Sequence, residues 1–152
     1  MSHSLTKIWV HAVFSTKDRE FSIQENFEKP LHDHLTHHLT DDFECCVRAL
    51  NGTTDHLHIL FLLSPNFALK DIMKNIKGES SHWVNQQNFT RMKFTWQTGY
   101  GAFSVSESNL NAVERYIQHQ KEHHKKMTFA EEFELFMKKH GLQMNQQTDE
   151  QD

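Results

Sequence analysis

Apolar residues fall along this chain with two periods, alternate and every fourth, and the two divide it into strands and helices. Ile8, Trp9, Val10, Val13 and Phe14 crowd into Lys7–Ser15, a β-rich run apolar on both faces and so predicted to be a central strand. Beyond the polar connection 16–20, Leu31, Leu35 and Leu39 recur at helical spacing, with Pro30 expected in the first turn of that helix. Phe43–Leu50 reads as a second strand. Asn51-Gly52 is then a hairpin turn leading into a third, Asp55-His56-Leu57-His58-Ile59-Leu60-Phe61. Leu69, Ile72, Met73, Ile76 and Trp83 trace an amphipathic helix with Lys70, Lys74 and Lys77 on its other side. Gly78, Ser80 and Ser81 interrupt that pattern and mark a place where a backbone or ligand comes close.

Arg91–Trp96 predicts a further strand, Gln97–Gly101 a turn, and Ala102–Ser106 a short apolar-polar alternation. Glycines on both sides of Tyr100 call for a sharp bend. A helix from Leu110 to Lys125 follows, capped by Ser108 or Asn109. Thr128 and Glu131 form a capping box for a last helix, whose stripe of Phe129, Phe133, Phe136 and Met137 suits a core or a subunit contact. Gly141 closes it. Strand, helix, two strands, helix, strand is the βαββαβ order of an α+β, ferredoxin-like antiparallel sheet, with helices on one face, C-terminal helices added, and the other face open. Residues 1–141 make one domain, and 142–152 a polar, acidic tail expected to be disordered.

The third strand carries the candidate chemistry. Alternate side chains of a strand share a face, so His56 and His58 point together while Leu57, Ile59 and Phe61 point into the packed layer. Two imidazoles side by side are either a metal-site geometry or polar-face histidines. With 13 histidines in the chain, about one His-x-His arises by chance against average composition. A second occurs at His32-Asp33-His34, where a helix does not put both rings on one face; with His37 and His38 those residues read as a solvated helix face. Asp55 is a candidate partner for an imidazole nitrogen, or simply a turn residue. Later, Tyr116 and Gln120 are four apart and share a helical face. An amide oxygen can ligate a hard cation and a phenol can be a nucleophile, although each is also an ordinary helix residue. His119 and His123 form a rival metal-binding pair.

The net charge of −4 speaks against a generically basic nucleic-acid coat. Acids gather around Glu131, Glu132, Glu134 and the tail, while Lys70, Lys74, Lys77, Arg91, Lys93, Arg115, Lys121, Lys125 and Lys126 leave room for a local basic surface, with Lys70, Lys74, Lys77, Arg115, Lys121 and Lys125 the candidates for DNA contact. No apolar run approaches a membrane span and no basic-then-apolar leader opens the sequence. Cys45 and Cys46 are adjacent and poorly placed to bridge, which points to a reducing cytoplasm.

Together the His56-Leu57-His58 strand, the Tyr116-x-x-x-Gln120 helix and the stretch Trp96-Gln97-x-Gly99-Tyr100-Gly101-Ala102-Phe103-Ser104-Val105-Ser106 resemble the single-tyrosine HUH transposases of small bacterial insertion sequences and their REP-associated relatives. Glu122-His123-His124, Phe129-x-x-Glu132-Phe133, His140-Gly141, Phe14-Ser15-Thr16-Lys17 and Lys77-x-x-Ser80-Ser81 extend the likeness over roughly residues 6–141. The acidity, the extra histidines and the tail depart from it. The resemblance implies a magnesium or manganese ion held by His56, His58 and Gln120, and a Tyr116 nucleophile that forms a 5′-phosphotyrosine link. It further implies single-stranded DNA hairpins as substrate, and a homodimer in which one subunit's tyrosine helix completes the other's histidine site. Trp83, Trp96 and Tyr100 are candidates for stacking bases. A ferredoxin-like nucleic-acid-binding module without catalysis, and a small hydrolase built on His119 and His123, are the competing readings.

Overall fold

The structure, a computed structural model, describes residues 4–142; the tail expected from Gln143 onward lies outside the described residues. Its strands are β1 (Trp9–Ser15), β2 (Cys46–Gly52), β3 (His56–Leu62) and β4 (Gly101–Val105). The helices are α1 (Glu25–Asp41), α2 (Leu69–Gln86), α3 (Leu110–Gln118), α4 (Gln120–His123) and α5 (Phe129–Lys139). The sheet is antiparallel in the order β2-β3-β1-β4, so the two strands buried along both faces, β1 and β3, are the central ones.

One face of the sheet carries Val10, Ala12 and Phe14 of β1 with Leu57, Ile59 and Phe61 of β3. These pack on Phe27, Leu31, Leu35 and Leu39 of α1 and on Ile72, Met73 and Ile76 of α2. The four α1 residues are fully buried, as a four-residue apolar period on an amphipathic helix demands. That helix begins earlier than its leucines suggest, and Pro30 lies inside it. The carbonyl deprived of a partner belongs to Asn26, which is exposed and open to water.

Three boundaries differ from the sequence reading. Asn51 and Gly52 belong to β2, opposite His58 and Leu57, and the turn falls on residues 53–55. A Cβ on Gly52 would stand 2.0 Å from the His56 carbonyl oxygen; close backbone approach, not turn geometry, requires glycine here. Arg91–Trp96 is not a strand. Asn85 takes both backbone groups of Phe94, at 2.7 and 2.9 Å, standing in for a ladder neighbour, and a single bridge joins Trp96 to Thr16. The free edge of β1 is taken by β4 instead. Finally, the helix expected from Leu110 to Lys125 breaks at His119 (φ −104°, ψ 24°) into α3 and α4.

The segment before β4 is held by residues of α2. Lys77 Nζ donates to the carbonyls of Gln97 and Gly99 at 2.9 and 2.6 Å, and the Trp96 indole donates to Ser80 Oγ at 2.9 Å. Gly99 has φ +90°, a bend that only glycine makes cheaply. The second face of the sheet, expected to be open, is covered by α3 and α5 through two further apolar clusters, with α4 meeting it through Gln120. The Thr128–Glu131 capping box at the start of α5 forms as expected. No helix among the described residues is long and apolar enough to cross a membrane.

Candidate metal and tyrosine centre

His56 and His58 project from β3 onto the covered face, and neither exposes any surface. Each ring is oriented from behind. His56 Nδ1 lies 2.7 Å from Asp55 Oδ1 and 3.0 Å from Thr53 Oγ1, and His58 Nδ1 lies 2.7 Å from His11 Nε2. His11 reaches it because β1 and β3 pair with His58 opposite Val13, which makes His11 a diagonal neighbour on the same face. In both rings Nε2 is the atom turned towards α4 and α5.

Those helices meet the sheet through polar anchors. Arg48 of β2 donates to Glu114 at 2.9 Å and Asn111 at 2.7 Å, while Asn51 Nδ2 donates to the carbonyls of Ile117 and Gln118. Tyr116, on the anchored α3, lies with its ring centre 5.9 Å from that of His58. The break at His119 does not separate Tyr116 from Gln120. Gln120 Oε1 is 2.8 Å from His56 Nε2, and its amide donates to Glu132 Oε2 at 3.0 Å. The Tyr116 hydroxyl donates to the same carboxylate oxygen. The tyrosine thus reaches the histidine pair of its own chain.

Glu132, on α5, is the residue at the middle of this arrangement. Its Oε1 lies 2.8 Å from His58 Nε2, 3.1 Å from His124 Nε2 and 3.4 Å from His56 Nε2, and the residue is 1% exposed. Sequence reasoning gave no role to Glu132, His124 or His11. For Glu132 a signal existed. The capping box sets the phase of α5, and an acid three residues after Phe129 and four before Phe136 falls on the apolar stripe, where an unpartnered carboxylate would be costly.

The electrostatics follow from burial and these partners. Burial acts to lower the His56 pKa, but hydrogen bonds to Asp55, Glu132 and Gln120 outweigh it and raise it to about 9. For His58 burial prevails over Glu132 and lowers the pKa to about 4. His11 falls to about 3 through burial and then through His58. Burial would raise Glu132, yet hydrogen bonds from His56 and His58 hold it well below the usual carboxylate range. Burial and then the Glu132 carboxylate push the Tyr116 phenol up. Asp55 is lowered because its bonds to His56 and Thr53 outweigh burial.

The side chains fit a divalent ion. His124 Nε2 is buried, and its 3.1 Å contact with Glu132 Oε1 is not aligned as a hydrogen bond; one ligand atom each from His56, His58, His124 and Glu132 lie within 4.8 Å of one another. Imidazole nitrogens joined by carboxylate and amide oxygens are a donor set for manganese or magnesium. The rival pair does not assemble in this way: His119 Nδ1 bonds to the Arg115 carbonyl at the helix break, and His123 stacks on Tyr116.

Residues 4–120 match the profile of the family described as IS200-like transposases. The chain belongs to this family. Among solved structures, this IS200-like transposase is similar to a candidate transposase from Deinococcus radiodurans R1, with 22% identity and a TM-score of 0.62 over 79% of this chain and 95% of the other. It is also similar to a REP-associated tyrosine transposase bound to a REP hairpin, with 14% identity and a TM-score of 0.60 over 82% and 74%. At these identities the likeness establishes a shared fold. No curated protein matches the chain.

The basic residues of this family member do not form one row. Lys70, Lys74, Arg115 and Lys125 are exposed. Lys77 is 5% exposed and spent on backbone carbonyls, so it does not face a phosphate. Lys121 ties α4 to Glu28 of α1 at 2.5 Å, and to Asn51 and the Gly52 carbonyl. Trp96 is core and packs edge-on against Phe14 and Phe94; Tyr100 packs against the same core. Trp83 stacks on His34. His34 and His38 both pair with Glu79, so the face of α1 expected to be solvated docks on α2, with His37 left exposed.

Proposed function

We propose that this family member is a metal-dependent enzyme that nicks single-stranded DNA and transfers the cut strand through a covalent link to Tyr116. The observation that carries this reading is the convergence, within one chain, of the Tyr116 hydroxyl, the His56–His58 pair and Gln120 around a single buried carboxylate. A magnesium or manganese ion held by His56, His58 and Gln120 would supply Lewis-acid polarisation of the scissile phosphate. Asp55 and His11 bond the Nδ1 atoms of the two imidazoles, which leaves both Nε2 atoms to hold such an ion.

Tyr116 Oη attacks phosphorus in line. A phosphotyrosine ester forms at the 5′ side while the bond to the 3′ oxygen breaks, and that oxygen leaves as a 3′-hydroxyl after taking up a proton. A free phenol is ionised to about one part in a thousand at pH 7, and here burial and Glu132 disfavour the phenolate further. Glu132 Oε2 accepts the hydroxyl hydrogen and so aims Oη; held well below the usual carboxylate range, it orients the phenol and does not keep the proton, which leaves to solvent as the bond to phosphorus forms. One phosphodiester is exchanged for another ester, so rejoining needs no nucleotide triphosphate.

DNA hairpins at element ends are the proposed substrate, supported by the fold shared with a REP-associated transposase bound to a REP hairpin. Lys70, Lys74, Arg115 and Lys125 are the proposed phosphate contacts. The tyrosine acts in cis, whereas the family resemblance implied completion by a partner's helix; a homodimer would then serve to hold two DNA ends. The enzyme acts in the cytoplasm with Cys45 and Cys46 as free thiols.

The test is incubation of the protein with end-labelled, hairpin-bearing single-stranded DNA and manganese, followed by a denaturing gel. Wild type yields a protein–DNA adduct, while Tyr116→Phe and His56→Ala yield none. An adduct that survives in Tyr116→Phe overturns the tyrosine mechanism. Hairpin binding without any nicking by wild type favours the non-catalytic binding module.

A further inference from the structure

We propose that Glu132 is itself a ligand of the ion, an anionic fourth member beside His56, His58 and Gln120, delivered by α5. This inference rests on the metal-dependent reading above and goes further by naming a residue and a charge that the reading does not contain.

A carboxylate at this place can stand in for the ion or ligate it. An oxygen standing in for the ion would sit at the centre of the ligand set. An oxygen that ligates the ion would sit at a corner of it. Manganese- and magnesium-type sites hold their ligands at about 2.1 Å, so neighbouring corners of an octahedral shell stand about 3.0 Å apart. Glu132 Oε1 lies 2.8, 3.1 and 3.4 Å from the Nε2 atoms of His58, His124 and His56. Gln120 Oε1 lies 2.8 Å from His56 Nε2. These spacings match neighbouring corners of a shell, and one ligand atom each from Glu132, His56, His58 and His124 lie within 4.8 Å of one another.

Charge points the same way. Glu132 is 1% exposed, and its ion-pair partners are three imidazoles, with no lysine or arginine among them. A carboxylate this far from water is kept by a positive charge or by a metal. Once the imidazoles turn their lone pairs to an ion, the ion is the cation that remains.

The two oxygens then do different work. Oε1 faces the imidazole nitrogens, and Oε2 holds the Tyr116 hydroxyl and the Gln120 amide. One side chain therefore links the ion to the nucleophile and fixes their separation. A shell of neutral ligands alone would leave the ion's double charge undiminished. With Glu132 bound, the centre keeps one net positive charge, gains affinity for hard oxygen-preferring cations, and positions the phenol.

The test reads metal affinity, not cleavage. Manganese binding to the full chain is measured by calorimetry for wild type, Glu132→Gln and His56→Ala, with far-UV circular dichroism to check folding. Wild type binds one ion, and both variants bind at least tenfold more weakly. If wild type and Glu132→Gln bind equally while His56→Ala loses the ion, Glu132 is not a ligand and the metal reading stands. If wild type binds no manganese, both fail. Should Glu132→Gln not fold, wild type labelled with ¹³C-glutamate is titrated with one equivalent of manganese and read by difference infrared spectroscopy. One carboxylate changes its stretching frequencies if the inference holds, and an unchanged carboxylate spectrum overturns it.

Discussion

Burying imidazoles in opposite charge states has a consequence measurable without DNA or metal. His56 is held as a cation by the acceptors at its two nitrogens, with its pKa raised to about 9 from 6.5. The folded state thus binds more protons than the unfolded chain between those values, and this contribution to stability is lost as pH rises from about 6.5 through 9. His11, His58 and His32 are lowered to about 3, 4 and 4, chiefly by burial. Below 6.5 the unfolded chain takes up protons that these residues refuse, so stability also falls as pH drops. The metal-free protein is therefore expected to be most stable near pH 6.5. Thermal melts in chelator at pH 5, 6.5 and 8.5 check this, and a midpoint that climbs steadily to pH 8.5 contradicts the charge assignment of His56. At this scale the sequence exposed half the centre. His56, His58, Tyr116 and Gln120 stand in local patterns of two and four residues, which chain geometry makes readable. His11 joins them only through the register of β1 on β3, and His124 and Glu132 only through the docking of a helix. Neither relation is written in local spacing, which shows only that Glu132 falls on the apolar stripe of α5.

The elements show the same division between what is local and what is not. The capping box of α5 was legible because its reciprocal hydrogen bonds need only residues 128–131. Replacing Thr128 by Ala removes an N-cap worth about 1 kcal/mol, and a urea titration should show a loss of that size. β4 was misplaced for a tertiary reason. Phe94 and Trp96 alternate as strand residues do, yet Asn85 satisfies the backbone of Phe94 and leaves the β1 edge to Gly101–Val105. A Cβ on Gly101 would stand 2.7 Å from the Phe133 ring of α5, which would have to shift to admit a side chain. The β2–β3 connection makes a sharper prediction. In Gly52→Ala the new methyl would meet the His56 carbonyl oxygen at 2.0 Å, backbone against backbone, so the hairpin must shift. A cost of about 1–3 kcal/mol is expected for such overpacking. Because the displaced strand carries His56, manganese affinity should fall together with the urea midpoint. A loss of stability with affinity intact would show that the strand absorbs the shift without moving the ring.

At the scale of the whole molecule, the contacts of α3 within its own chain bear on how many chains an active site requires. The helix is short and is tied to the sheet of its own chain by Arg48, Asn51 and the bond from Tyr116 to Glu132. Lys121 adds a tie from α4 to α1. A helix that crossed to a partner subunit would have to give up every one of these contacts and regain equivalents on the partner. Family resemblance implied such a crossing; in the single chain, anchors and nucleophile lie on the same side of the break at His119 and point inward together. Mixing two inactive variants separates the arrangements. Tyr116→Phe keeps an intact ion site, and His56→Ala keeps an intact tyrosine. If each site is built from one chain, any mixture of the two forms no adduct with hairpin DNA, because no site contains both functions. If helices exchange between subunits, up to a quarter of the sites in a fully scrambled equimolar mixture combine the surviving tyrosine with the surviving histidine pair, and the adduct returns. We expect none on the denaturing gel, at any protein concentration and after refolding the two variants together.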